Sequence, residues 1–268
     1  MDDALVTYEL DGAVALIGLN RPDKRNAVND ATIDALKAAV QRAHDEAHVG
    51  LLFGHGPNFC AGLDLAEALA RATGQIKPAR KRKRHNWHVV FDEIERGPIP
   101  FVAALHGAVV GGGLELAMAA HVRVCDRSAF FGLPEGQRGI FVGGGGTVRI
   151  QRVVGTTVMT DMMLTGRLLN ADDALAVHLV RYVEAEGAAL DKARALAVRI
   201  AQNTLETNWK IVNVLPRTMD LSHDDGLFME QLNSAMARPP EVEQRLREFV
   251  EGKAKPLKAP GAPDAGTP

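Results

Sequence analysis

Between residues 49 and 146 one pattern repeats: a short apolar run, a glycine-rich turn, then helical spacing of apolar residues. Val49 to Phe53 runs into the loop Gly54 to Gly62, and a helix is expected from about Asp64. Trp87, Val90, Phe91 and Ile94 form a helical stripe that ends at Gly97-Pro98. Phe101 to Leu105 reads as a strand, followed by Gly107 and the triplet Gly111-Gly112-Gly113, where a helix should begin. Val122 to Cys125 and Ala129 to Phe131 read as further short strands, and the run Gly143 to Gly146 precedes another helix. Repeated strand–loop–helix units build an α/β fold with parallel strands. One long Rossmann sheet does not fit, because the strands are short and the glycine loops sit mid-chain.

The flanks read differently. Leu5 to Leu10 alternates as a strand does, Asp11-Gly12 is a hairpin turn signal, and Ala13 to Leu19 is the returning strand. Asn29 or Asp30 can cap a helix whose stripe is Ile33, Leu36, Val40 and Ala43. From about Gly187 strand signals vanish, and helical stretches follow to about Gly252. Lys255 to Pro268 carries four prolines and two glycines and reads as a disordered tail. The expected organisation is a core over 1–190, a helical region over 191–254 and the tail over 255–268.

Composition narrows the function classes. The chain has 268 residues, 46% of them hydrophobic, enough for a cooperative core. Net charge is −2, so no global field favours nucleic acid or a membrane surface. Two cysteines, Cys60 and Cys125, are too few for a disulfide framework and point to a reducing compartment. The opening MDDALVTYEL lacks the basic start and apolar run of a signal peptide, so a soluble cytoplasmic product is expected.

Three segments can carry chemistry. Phe59-Cys60-Ala61-Gly62-Leu63-Asp64 places small residues ahead of a helix start, where a backbone N–H can be aimed outward in positive potential. His106 to Glu115 places three glycines at a second helix start, where the backbone can approach a ligand closely. Leu133-Pro134-Glu135 precedes the third glycine run. Two such helix starts can give two N–H groups to one oxygen, which a thioester carbonyl becoming an enolate requires. Two poorly solvated carboxylates close together cannot both ionise easily, so one donates while the other accepts. Taken singly, each segment also has a bland reading as a tight loop or a solvated helix face. Cys60 reads as a buried filler, and His106 as a maker of a structural hydrogen bond. The joint order of the segments raises the functional reading.

Leu19-Asn20-Arg21-Pro22-Asp23-Lys24-Arg25-Asn26-Ala27 resembles the opening motif of the enoyl-CoA hydratase/isomerase (crotonase) family. FCAGLD resembles its first oxyanion motif and GAVVGGGLELA its second, while FFGLPE and GGGGTVRI resemble its next two segments. Met163 to Gly166 with Ala171, Ala174 and Val177, and the closing Arg247 to Lys253, are similar to later family motifs. The resemblance covers roughly residues 5 to 255. It implies a core of repeated ββα turns with a helical C-terminal trimerisation region, assembled as a homotrimer or as a homohexamer that is a dimer of trimers. It also implies an acyl-CoA thioester substrate, with no metal and no cofactor beyond the coenzyme A of that substrate. By motif position the oxyanion N–H groups should come from Leu63 and Gly112, and Glu115 and Glu135 match the two catalytic glutamates of the family's hydratases. Ala61, Asp64, Gly111, Gly143 and Lys253 are the further substrate- or water-binding positions, with Gly143 where the family helps to hold the catalytic water. Leu63, Gln137, Arg138 and Val142 depart from the family pattern.

Hydration of an α,β-unsaturated acyl-CoA to a 3-hydroxyacyl-CoA is therefore the expected activity. The alternatives are an isomerase or a thioester hydrolase acting on the same enolate. The basic segment Lys77 to His85 reads as a solvated helix face or as a cationic stretch that attracts the phosphates of coenzyme A; a reading from another class, a nucleic-acid-binding protein, has against it the negative net charge and the core-like spacing of Trp87 and Phe91.

Overall fold

A computed structural model of the chain describes residues 4–76, 86–236 and 240–253. The basic segment 77–85 and the tail 255–268 lie outside the described residues. The elements, in order, are β1 (Val6–Asp11), β2 (Val14–Leu19), α1 (Asp30–Glu46), β3 (Val49–Gly54), α2 (Leu65–Ala72), α3 (Asn86–Arg96), β4 (Phe101–Leu105), β5 (Ala108–Val110), α4 (Gly112–Ala119), β6 (Val122–Asp126) and β7 (Phe130–Gly132). There follow α5 (Gly146–Thr165), α6 (Ala171–Ala176), β8 (Tyr182–Glu184), α7 (Ala189–Ala201), α8 (Leu205–Asn213), α9 (Leu215–Thr218), α10 (His223–Ala235) and α11 (Pro240–Val250).

Strands β1-β2-β3-β4-β6-β8 form one sheet in that order, antiparallel only at the β1–β2 hairpin and parallel elsewhere. A second, two-stranded parallel sheet joins β5 to β7. Both β5 and β8 are only three residues long. A period of two cannot declare itself over that length, and without the paired aromatics that mark the equally short β7, β5 reads in the sequence as part of a glycine loop and β8 leaves no strand signal.

The apolar strand runs are buried on both faces, as parallel strands require. Leu52, Phe101, Ala103, Leu105 and Cys125 point into a core with α1, α3 and α4. Val49, Leu51, Val102, Ala104 and Val124 point the other way, onto Ala189, Ala193 and Ala197 of α7. The small face of α7 lets that helix lie close to the sheet, and the compact first unit runs through Arg217. Residues from Thr218 form a second unit, built from α10 and α11.

Asn29 caps α1 by accepting from Thr32 N, which places the stripe of Ile33, Leu36, Val40 and Ala43 in the core. Gly50 on β3 leaves the space that the Phe101 ring fills, since a Cβ there would stand 2.1 Å from that ring. Gly50→Ala is expected to lower stability by roughly 1–3 kcal/mol, the usual range for overpacking a core. Urea unfolding followed by circular dichroism measures it, and an unchanged midpoint would contradict the packing described for Phe101.

Candidate active site

Two loops meet because glycines let them. Cys60 pairs with β5, its N–H donating to Ala108 O at 2.9 Å and its carbonyl accepting from Val110 N at 3.0 Å. A Cβ at Gly113 would lie 2.3 Å from the Cys60 carbonyl oxygen, and one at Gly62 would lie 2.6 Å from Val110 O and 3.0 Å from Gly112 N. Any larger residue at either position would push the loops apart. Val28 donates to Gly62 O at 2.7 Å and accepts from Asp64 N at 2.9 Å, so both bonds flank Leu63 and turn its own N–H to the opposite side. Gly112 is the first residue of α4, where a helix leaves its N–H groups without internal partners. Among the described residues neither the Leu63 amide nor the Gly112 amide donates to a protein acceptor.

Every residue of α4 is buried, and Glu115 is its single ionisable one. A carboxylate in such surroundings needs donors. It finds them at Gly144 N and Gly146 N, which donate to Glu115 Oε1 at 2.8 and 2.7 Å. Gly146 opens α5, whose N-cap Gly145 contributes no side chain, so Glu115 supplies the missing cap from another helix. Among the described residues Oε2 of Glu115 accepts no hydrogen bond. A Cβ at Gly144 or Gly146 would crowd this carboxyl group.

Glu135 is 6% exposed, and its Oε2 is buried with no hydrogen-bond partner among the described residues. Burial raises its carboxyl pKa above the ordinary carboxylate range. The bond from its own backbone pulls the other way, the nearby Glu115 charge adds to the rise, and Arg138 opposes it. Gly111, at φ +55°, leaves room for this carboxyl: a Cβ there would stand 2.8 Å from Glu135 Oε1.

Two adjoining cavities share Leu63, Gly112, Glu135 and Ile140. One, of about 280 Å³, is lined also by Lys24, Arg25, Ala61, Asp64, Gly111 and Arg138. The other, of about 350 Å³, is lined also by Glu115, Trp87, Phe141, Gly143 and Gly144. Glu115, Glu135, Leu63, Gly112, Ala61, Asp64, Gly111 and Gly143 are thus brought to one continuous cleft. Lys253 lies in the C-terminal unit, where its ammonium pairs with Glu251 at 2.7 Å.

Within the cleft the side chains divide by task. Asp64 caps α2 by accepting from Ala66 N and Glu67 N, and pairs with Arg21 at 3.0 Å, so its carboxylate holds the loop. Burial and hydrogen bonding act oppositely on it, and the Arg21 and backbone donors leave its carboxyl below the ordinary range. Buried Asn26 donates to His55 O and Asn58 O and accepts from Arg21 N, which fixes the cation-bearing segment of Lys24 and Arg25. Cys60 is buried and its thiol is pushed up to about 12, so it is a filler and no nucleophile. The ring of His106 bonds Gly56 O at 2.9 Å, a structural contact. Sequence reasoning pointed to Gly143 within the glycine run and missed the amides of Gly144 and Gly146. The one local sign is a helix that begins with no capping side chain before it, which marks free N–H groups there without naming their acceptor. It missed also the wall made by Trp87, which the helical stripe marks only as core.

The sequence pattern of the Enoyl-CoA hydratase/isomerase family matches residues 9–257. A probable enoyl-CoA hydratase of Bacillus subtilis (strain 168) is 29% identical over 255 residues, covering 94% of this chain and 97% of that protein. The probable mitochondrial enoyl-CoA hydratase 2 of Arabidopsis thaliana is 35% identical over 193 residues, 71% of this chain and 63% of that protein. Among solved structures, a putative enoyl-CoA hydratase from Rhodopseudomonas palustris CGA009 is 41% identical with a TM-score of 0.84, covering 94% of this chain and 96% of that one. The family pattern, the Bacillus relative and the solved structure match nearly end to end, and the last shares the fold described above, so the chain belongs to the enoyl-CoA hydratase/isomerase family.

Proposed function

We propose that the protein adds water across the α,β double bond of an acyl-CoA, giving a 3-hydroxyacyl-CoA. One observation carries the reading: Glu115 and Glu135 line the same cavity as two main-chain amides that have no acceptor among the described residues. The thioester oxygen would accept from the Leu63 and Gly112 amides, which stabilise it as it gains charge in the enolate. The cations Lys24, Arg25 and Arg138 on the adjoining wall suit the phosphates of coenzyme A and set the acyl group toward Trp87 and Phe141.

Water would lie between the two carboxyl groups. Glu115, anchored through Oε1, takes a proton from that water on Oε2 as the oxygen attacks the β-carbon. Glu135, whose burial favours the protonated form, gives its proton to the α-carbon. One proton is gained and one lost, so a proton passing from Glu115 back to Glu135 restores the site, and the net change is addition of water. These are proton transfers and carbon–oxygen bond formation, chemistry for which carboxyl groups and amides suffice.

Glu115→Gln and Glu135→Gln are each expected to lower kcat for hydration of a short enoyl-CoA by about 10²–10⁴-fold, the usual contribution of an acid or base. Product mass separates the family's chemistries: a hydrated product gains the mass of water, an isomer gains none, and a hydrolase frees a thiol. Near wild-type rates in both variants would overturn the assignment of roles.

Burial also makes Glu135 a pH-dependent liability to the fold. Its pKa is higher folded than unfolded, where it is near 4.5. The folded chain is therefore fully favoured below the unfolded value and loses that contribution as pH rises through the folded one. Glu135→Gln should melt above the wild type at pH 7–8, with the difference shrinking toward pH 4. Thermal unfolding across that range checks it, and a variant less stable at neutral pH would count against the burial argument.

The homotrimer or homohexamer implied by the family resemblance is proposed as well. In the C-terminal unit Leu227, Phe228 and Leu232 of α10, and Leu246, Phe249 and Val250 of α11, are exposed, more apolar surface than an isolated helical pair needs. Sedimentation equilibrium should return the mass of three or six chains, and Phe228→Asp with Phe249→Asp should lower it.

A further inference from the structure

Arg149 on α5 is 8% exposed, an unusual setting for a guanidinium, and such a group needs partners on all sides. Its Nη1 donates to the carbonyl of Gly144 at 3.0 Å. Its Nε donates to Glu95 at 2.9 Å and its Nη2 to Asp92, both on α3. The fork therefore ties α3, α5 and the glycine run together. That run has no side chain with which to hold itself, and Gly145 stands at φ +100°, with Arg149 Nη1 in the space a Cβ would take. Yet the run supplies both donors that grip Glu115 Oε1.

We propose that Arg149 is a positioning residue for Glu115. It fixes the Gly144 carbonyl against the Asp92–Glu95 pair, and so fixes the amides of Gly144 and Gly146 that set the direction of the Glu115 carboxyl. Glycine-rich backbone without that tether samples many conformations. The carboxyl would then lose its fixed aim at the water, and a misplacement on the order of 1 Å can lower a rate about 10²-fold. The inference rests on the proposed hydration chemistry, in which Glu115 is the base. The competing reading is a purely structural ion cluster that joins α3 to α5.

A double-mutant cycle separates the two. Arg149→Met should lower kcat about 10- to 100-fold while KM stays within about twofold, because the fault is orientation. In a Glu115→Gln background the same substitution should change kcat by less than about twofold, since the group it positions no longer acts as base. Arg149→Lys, which keeps the charge but loses the fork, should recover only part of the rate. If Arg149→Met removes two acids' counter-charge and fails to fold, Glu95→Gln carries the same cycle with the guanidinium retained. A folded variant with unchanged kcat, or an equal loss with and without Glu115, would overturn the positioning role. Glu115→Gln retaining wild-type activity would instead overturn the hydration mechanism, and the positioning role with it.

Discussion

A carboxylate buried in an apolar helix constrains much of what surrounds it. Glu115 lies on α4, where every other side chain is apolar or absent, and its Oε1 is held by two amides of another segment. Burying an acid without donors would oppose folding strongly. The donors come from the start of α5, so the acid and the helix N-terminus solve each other's problem: one needs N–H groups, the other needs a cap. That exchange brings α4 and α5 together at one end of the cleft. It also favours glycine at two positions of the run, because a Cβ at Gly146 would stand 2.9 Å from Glu115 Oε1 and one at Gly144 would stand 2.8 Å from Phe91 and 3.2 Å from the carboxyl group.

The other end of the cleft follows from backbone packed against backbone. Gly62 and Gly113 allow the Cys60 loop and the start of α4 to approach within contact distance. With Val28 bonded on the far side of Leu63, the Leu63 amide is turned to the side away from Val28, and the Gly112 amide, as a first helical residue, has no acceptor among the described residues. Neither amide depends on a side chain for its direction. On the proposed chemistry this suits a site that stabilises a developing oxyanion, since main-chain dipoles held by a sheet and a helix need little reorganisation as charge appears.

Much of this was legible in the sequence, for reasons that can be traced. The strand, glycine loop and helix units from Val49 to Gly146 stand in the structure where their patterns place them, because apolar runs, glycines and caps such as Asn29 act locally. The three-residue strands β5 and β8 were not legible, because they depend on partners distant in the chain and lack the aromatic pair Phe130-Phe131 that marks the equally short β7. The grip of Gly144 and Gly146 on Glu115 spans some thirty residues, and no local rule selects those amides over that of Gly143. The cations Lys24 and Arg25 reach the cleft only because Asn26 pins their loop to His55 and Asn58, a contact that composition cannot announce.

Surroundings, more than chemical identity, separate the two glutamates. Glu115 meets amide donors at one oxygen and leaves the other without a protein donor. Glu135 meets none at its buried Oε2 and has a second acid nearby, both of which favour its neutral form. Two like carboxyl groups sharing one cavity therefore meet different surroundings. An acid whose surroundings favour the proton, beside a partner held by amide donors, is suited to act as donor to that acceptor without help from unusual side chains. In the proposed hydration the pair's chemistry then follows from where α4, α5 and the segment after β7 place their backbones.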